Sequence, residues 1–298
     1  MQFAKRILLF LTLNIIVVTT ISILLAVFHV QPYLNAYGLN IPALAGFCLV
    51  WGFGGAFISL LMSRAMAKWM YGVQLIDPNN CSEREHWLID IVGQLCRKAS
   101  IETMPEVGIY QSEEANAFAT GPTKSRALVA VSSGLFNLMN NNEIEGVLGH
   151  EISHIANGDM VTMTLLQGVV NAFVMFASRL IAYVITRDSK SDRSGWAFYL
   201  VSMVLQIVFL SLASLLIAFY SRRRECKADD GGAIIAGRNK MIGALEALQR
   251  TYAVVDPRSQ PAMQNMKISS RPHGIWNLLS ATHPPLEDRI ARLRSQLG

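Results

Sequence analysis

Four long apolar runs constrain the fold of this chain more than any other feature of its sequence. Each is long enough to cross about 30 Å of hydrocarbon as a helix. An apolar fraction of 52% and a charged fraction of 16% agree with a membrane protein. The sequence therefore predicts four membrane-embedded helices, at residues 7–28, 41–62, 161–186 and 196–220.

Charged residues beside the first two runs indicate their orientation. Lys5 and Arg6 precede the first run, whereas the loop at 29–40 contains neither Lys nor Arg. Arg64 and Lys68 follow the second run. Because positive charge is retained on the cytoplasmic side, the amino terminus and the segment after the second run are predicted to face the cytoplasm. The first run is too long for a cleaved signal peptide, so we interpret it as a retained anchor.

The polar segments between and after these runs contain patterns of secondary structure. A capping box that begins at Ser82 precedes a helical stripe of apolar residues. Residues 107–110 and 128–131 have the composition of short strands. Asn140 offers N-cap chemistry for a helix that is expected to end near Gly158. The chain is therefore predicted to be mainly α with a small β-sheet.

The helix after Asn140 contains an H-E-x-x-H motif formed by His150, Glu151 and His154. Histidines four residues apart lie on one face of a helix and can bind one tetrahedral zinc ion. A carboxylate beside them can take a proton from a water molecule that attacks a peptide carbonyl. A chance match in a chain of this length has odds of about one in a hundred or less. We therefore predict that His150 and His154 bind the metal and that Glu151 is the general base.

A third metal ligand must come from elsewhere, because Met160 stands where the extended metzincin motif has its third histidine. Glu225, at the end of an apolar helix, is the strongest candidate. Asp229 lies one turn further on the same face and suits a carboxylate that accepts a hydrogen bond from a ligand histidine. The sequence thus favours His150, His154 and Glu225 as ligands.

Alternatives to this ligand remain open at the level of sequence. Glu225 could instead pair with Arg222 or Arg224 at a membrane interface, as surface charges commonly do. Asp230 and Glu246 are weaker candidates for the metal ligand.

Two further groups are candidates for binding the substrate. The segment Asn116, Ala117, Phe118 and Ala119 could offer a strand edge to an extended peptide, although its Asn and Gly content equally suits a surface turn. His283 could donate a hydrogen bond to the oxyanion formed in hydrolysis, or it could be a turn residue before two prolines.

These motifs together resemble the HtpX family of membrane-bound zinc metallopeptidases, relatives of the CAAX prenyl proteases. The likeness covers nearly the whole chain and lies in the amino-terminal apolar pair and in the segments 116–121, 147–159, 224–229 and 282–286. It implies a gluzincin-like zinc peptidase domain with Glu225 as third ligand and a role in cleaving damaged or misassembled membrane proteins. Cys226 departs from the family, which more often has an aromatic residue there.

The resemblance and the apolar runs imply an order of domains along the chain. A transmembrane hairpin at 1–62 precedes the first part of the peptidase domain at 63–160. A second membrane-embedded helix pair at 161–220 precedes the second part of that domain at 221–298. One zinc ion cannot be bound from both sides of a bilayer, so the third and fourth runs must both cross it or both stay embedded.

The leading hypothesis is a zinc endopeptidase of the inner (plasma) membrane, with one Zn²⁺ per chain and its active site on the cytoplasmic side. Its expected partners are membrane-protein or peptide substrates, the lipid bilayer and membrane-associated quality-control proteins. The alternative is a non-catalytic scaffold or sensor with structural zinc, which would need a fourth protein ligand. A transporter is disfavoured by the few apolar runs. Nucleotide and nucleic acid are not expected, because no P-loop is visible and the cations cluster at the ends of the apolar runs.

Overall fold

A computed structural model describes residues 34–35, 38–187, 194–254 and 283–296. The described helices are α1 Ile41–Tyr71, α2 Glu83–Lys98, α3 Ser133–Leu138, α4 Asn141–Asn157, α5 Asp159–Thr186, α6 Ser194–Ile235, α7 Arg238–Val254 and α8 Leu286–Ser295. The described strands are β1 Leu34–Asn35, β2 Gly38–Leu39, β3 Gln74–Leu75, β4 Glu106–Tyr110, β5 Ala117–Thr120 and β6 Leu128–Ser132. The expectation of a mainly α fold with a small sheet is confirmed.

Three of the described helices are long and apolar enough to cross a membrane: α1, α5 and α6. They contain the second, third and fourth apolar runs, so these three predictions are confirmed. The first run, at 7–28, lies outside the described residues. Two helices extend beyond the predicted ends, because α1 continues past Met62 to Tyr71 and α6 continues past Tyr220 to Ile235.

The described residues form two compact units. Those within 34–56 and 166–216 form the first unit, and those within 57–165, 217–254 and 283–296 form the second.

In the first unit, small residues bring α1 and α5 close together. A Cβ at Gly52 would lie 2.5 Å from the backbone nitrogen of Ala172, so only glycine fits there. Arg179 lies within α5, which continues past it to Thr186. Its guanidinium lies 5.6 Å from the centroid of the Phe47 ring, and its Nη1 donates to the carbonyl of Met175. These contacts offset part of the cost of a charge within an apolar helix.

The second unit is built on a four-stranded sheet in the order β3-β4-β6-β5. β4 and β6 are parallel, whereas β5 pairs antiparallel with β6 and forms an edge of the sheet. The two strands predicted from sequence correspond to β4 and β6. One face of this sheet packs in the core against α4, with α2, α7 and α8 contributing apolar residues to the same cluster.

α4 carries the H-E-x-x-H motif through the middle of this core. Asn140 caps its amino terminus by accepting hydrogen bonds from the backbone of Asn142 and Glu143, as the sequence predicts. At the other end Gly158 adopts φ 70°, a left-handed conformation that glycine reaches without steric cost. The caps fix both ends of the helix, and its residues from Ile144 to Ile155 are all buried.

Glycines allow α4 to approach α6 closely. A Cβ at Gly149 would lie 2.7 Å from the Cβ of Ala236, and one at Gly232 would lie 3.0 Å from the backbone nitrogen of His150. Real Cβ atoms are rarely this close to another heavy atom, so the two helix backbones meet because side chains are absent there. This close approach brings Glu225 and Asp229 of α6 to the histidines of α4.

Candidate metal centre

Three side chains from α4 and α6 converge on one point. Nε2 of His150 and Nε2 of His154 lie 3.1 Å apart. The Glu225 carboxylate faces both, with Oε2 at 3.3 Å from the nitrogen of His150 and Oε1 at 3.5 Å from that of His154. All three side chains are almost completely buried.

These separations fit a tetrahedral metal ion. Ligands about 2.0–2.1 Å from zinc at tetrahedral angles lie about 3.3 Å from one another. The 3.1, 3.3 and 3.5 Å separations of the three donors are close to that value. Within the described part of the chain, Oε2 of Glu225 is also buried without a hydrogen bond of acceptable geometry. A buried carboxylate oxygen facing two imidazole nitrogens is suited to a cation.

A carboxylate lies beside the Nδ1 atom of each histidine; the contact at His154 is a hydrogen bond, whereas the one at His150 has the distance but not the angles of one. Nδ1 of His150 lies 3.0 Å from Oδ1 of Asp229, where the sequence predicts such a contact. Nδ1 of His154 and Oδ2 of Asp159 form a hydrogen bond of 2.5 Å. Burial alone would lower the pKa of His150, but its contacts with Asp229 and Glu225 outweigh burial and raise that pKa to about 9.

The Glu151 carboxylate contacts the edge strand β5. Its Oε2 accepts a hydrogen bond of 2.9 Å from the backbone N–H of Ala119. The carboxylate is buried and belongs to the same helix as the two histidines, but it is not part of the three-donor cluster. It is thus a carboxylate beside the metal position and oriented by the main chain.

The segment 116–119 forms strand rather than a plain turn. Its last three residues belong to β5, and Asn116 precedes that strand, where its carbonyl accepts from the N–H of Ser132. His283 also reaches the site, with Nδ1 at 2.9 Å from Oε2 of Glu225.

The alternatives for the third ligand have different outcomes. Nη2 of Arg224 does pair with Oε1 of Glu225, at 2.7 Å, so this carboxylate contacts both an arginine and the histidines. Asp230 pairs with Arg292 and Glu246 pairs with Arg294. Neither belongs to the metal-ligand cluster found among the described residues.

Comparison with known proteins identifies the family. A family model described as Peptidase family M48 matches residues 82–297. The chain belongs to peptidase family M48. Its relatives include the protease HtpX homolog of Methylacidiphilum infernorum, 49% identical over 97% of this chain and 98% of the relative. The protease HtpX homolog of Bacillus subtilis is 47% identical over 98% and 100% of the two lengths.

The fold comparison agrees with this assignment. The crystal structure of S. mikatae Ste24p matches with a TM-score of 0.67 and 16% identity, over 98% of this chain and 66% of that one. The resemblance to the HtpX family is therefore confirmed. This M48 protein is a metallopeptidase, and its long apolar helices make it a membrane protein.

Sequence reasoning missed two charged residues of the M48 site. Asp159 follows the C-cap glycine of α4 and pairs with His154. It closes the segment 147–159 that carries the family resemblance, but no role was assigned to it from the sequence. Arg289 donates two hydrogen bonds to Asp229. A signal did exist for Arg289, because it occupies the buried stripe of α8 that Leu286, Ile290 and Leu293 also form. A charge in such a stripe indicates a buried partner.

Proposed function

We propose that this M48 protein is a zinc-dependent endopeptidase that hydrolyses peptide bonds in damaged or misassembled proteins of the inner membrane. The observation that carries the proposal is the convergence of His150, His154 and Glu225 at tetrahedral spacing beside the carboxylate of Glu151. The cluster found among the described residues offers three ligands, which leaves a fourth position for solvent or substrate. A structural zinc site would be closed by a fourth protein ligand.

The residues around the ion have separate roles in the proposed reaction. A bound zinc ion supplies Lewis acidity, which polarises a peptide carbonyl and makes a water molecule easier to deprotonate. Glu151 takes the proton of the attacking water and returns it to the leaving amine. The amide of Ala119 orients Glu151 for both transfers. Asp229 and Asp159 hold the two histidines so that each directs Nε2 at the ion.

The edge strand β5 is proposed to bind the substrate main chain. The carbonyl of Asn116 accepts from Ser132, so alternation along an antiparallel strand directs the backbone groups of Ala117 and Ala119 away from β6. The contact between the Ala119 N–H and Glu151 agrees with this direction. The backbone groups of Ala117 and the carbonyl of Ala119 can therefore pair with an extended peptide beside the base. Phe118 directs its own backbone groups to β6 and packs on the other face of the sheet.

His283 is proposed to stabilise the oxyanion. Its imidazole is partly exposed and reaches the ligand Glu225, so it lies next to the position where the reacting carbonyl would bind. An N–H donor at this place would compensate the negative charge that develops on the carbonyl oxygen.

The membrane supplies the proposed class of substrate. Along α6, the apolar run ends at Tyr220, and Glu225 lies five residues further on, which corresponds to about 7.5 Å of helix rise. The ligand therefore stands near the end of a membrane-spanning helix. The charge pattern around the first two runs favours the cytoplasmic side for this end.

Replacing Glu151 by Gln tests the proposal. The variant should bind zinc like the unaltered protein while its cleavage of a model membrane-protein substrate falls by orders of magnitude, about 10²-fold or more. Glu145→Gln is the matched control, since Glu145 is buried on the same helix and pairs with Lys240 away from the ligands. It should keep both properties. Undiminished cleavage by Glu151→Gln would refute the assignment of the base, and zinc binding without any cleavage by the unaltered protein would favour a scaffold.

Replacing Glu225 by Ala tests the ligand set. Zinc content of the purified protein should fall, because only two imidazoles would remain from the cluster. Unchanged zinc content would contradict the role of Glu225.

A further inference from the structure

The carboxy-terminal helix α8 reaches the metal centre through Arg289. Nε of Arg289 donates to Oδ2 of Asp229 at 2.8 Å, and Nη2 donates to Oδ1 at 2.5 Å. Arg289 is 1% exposed and Asp229 is 0% exposed, so neither exchanges these bonds for water. This is a two-pronged contact, which fixes the plane of the carboxylate as well as its position.

The same carboxylate contacts a predicted ligand. Oδ1 of Asp229, which accepts from Arg289, also lies 3.0 Å from Nδ1 of His150. Nε2 of that imidazole faces Glu225 and His154. A continuous series of contacts therefore leads from Arg289 through Asp229 to the metal position. Because an imidazole ring is rigid, a rotation of Asp229 would change the direction of Nε2.

A purely structural ion pair is the simpler explanation of this contact, and its neighbours show what such a pair looks like here. Arg292 pairs with Asp230, and Arg294 pairs with Glu246. Both pairs attach α8 to neighbouring helices and are partly exposed, and Arg292 also approaches Asp229, with Nη2 at 3.7 Å from Oδ2. Arg289 differs because it is completely buried and bonds to a carboxylate that contacts His150. Burying a guanidinium is costly, and attachment of α8 alone does not require it.

We propose that Arg289 is a positioning residue of the metal centre, which holds Asp229 in the orientation that directs Nε2 of His150 at the ion. The metal site is then complete only when α8 is docked. This inference rests on the proposed zinc site and adds a requirement to it. Partners of ligand histidines commonly change metal affinity by about ten to a hundredfold when they are altered.

The test uses the full-length protein in detergent, with zinc removed and then titrated back against a competing chelator. Arg289→Lys keeps the positive charge but loses the two-pronged contact, and Arg289→Met removes the charge. Both should weaken zinc binding about ten to a hundredfold. Arg294→Met is the matched control on the same helix, because Arg294 pairs with Glu246, and it should bind zinc like the unaltered protein.

A second readout separates positioning from folding stability. With cobalt in place of zinc, the visible absorption spectrum reports the geometry of the ligands. It should change in Arg289→Lys but not in Arg294→Met. In an Asp229→Ala background, Arg289→Lys should have no additional effect on zinc affinity, because the contact through which it acts is already gone.

The results that would overturn the inference are specific. Zinc affinity and a cobalt spectrum equal to those of the unaltered protein in Arg289→Lys would show that the contact is only structural, even if the thermal unfolding temperature fell. If Arg289→Met does not fold, Arg289→Lys still decides the question. Failure of the unaltered protein to bind zinc would contradict the proposed function itself, which is a distinguishable result.

Discussion

Gly149→Ala tests whether the close approach of α4 and α6 sets the geometry of the metal centre. The new Cβ would lie 2.7 Å from the Cβ of Ala236, whereas relaxed carbon atoms are about 3.5–4.0 Å apart. An alanine Cβ cannot rotate away, so the two backbones must separate locally by about 1 Å. Oε2 of Glu225, which lies 3.3 Å from Nε2 of His150, would then move away from it.

Two opposing effects determine the change in stability. Overpacking of a core costs about 1–3 kcal/mol, while alanine is about 1 kcal/mol better than glycine within a helix. The net loss in the free energy of unfolding is therefore about 0–2 kcal/mol, and the metal-free protein should remain folded. Zinc affinity should fall about tenfold or more, which corresponds to about 1.4 kcal/mol or more of binding free energy.

Thermal unfolding of the metal-free protein and zinc titration against a chelator measure the two quantities separately. Gly93→Ala is the matched control, since a Cβ there would meet only Arg97 and Met104 at 3.6 and 3.7 Å, which are ordinary contacts. It should raise stability by about 0.5–1 kcal/mol and leave zinc binding unchanged. If Gly149→Ala behaved in the same way, the helix approach would not determine the ligand geometry.

Three further predictions concern single groups of the site. Ala119→Pro removes the N–H donor to Glu151 without losing a bond to β6. The kcat of this variant should fall about ten to a hundredfold at unchanged KM in steady-state assays, since a hydrogen bond to a charged group contributes about 1.5–3 kcal/mol. An unchanged kcat would contradict the role of the Ala119 N–H. Asp159→Asn should lower zinc affinity about tenfold in the chelator titration, because it weakens the hydrogen bond to His154. Chelation should abolish cleavage and lower the thermal unfolding temperature, and zinc should reverse both, because a ligand at 100 times its Kd stabilises by about 2.7 kcal/mol.

Local patterns were sufficient to predict much of this fold. The capping box at Ser82 and the N-cap residue Asn140 start helices α2 and α4. The apolar runs within α1, α5 and α6 were predicted from length and hydropathy alone. These features depend on residues a few positions apart, so a sequence shows them directly. The helix ends were less predictable, as α1 and α6 continue through polar residues that pack in the second unit.

The site was predictable where one helix determines it. His150, Glu151 and His154 are placed by the helical repeat, and Asp229 follows Glu225 by one turn. Arg289 could not be assigned in this way, because its contact with Asp229 joins residues 60 positions apart through tertiary packing. The hydrogen bond from Ala119 to Glu151 depends likewise on how an edge strand lies against a helix.

The distribution of the three proposed ligands along the chain has a consequence for biosynthesis. His150 and His154 precede the apolar helices α5 and α6, whereas Glu225 comes only near the end of α6. During translation the motif helix therefore leaves the ribosome long before Glu225, and the apolar segments of α5 and α6 are synthesised in between. A centre made from these three side chains cannot form before Glu225 has been synthesised and α6 has packed against α4. The proposed cleavage activity would therefore begin only after both apolar helices have been made.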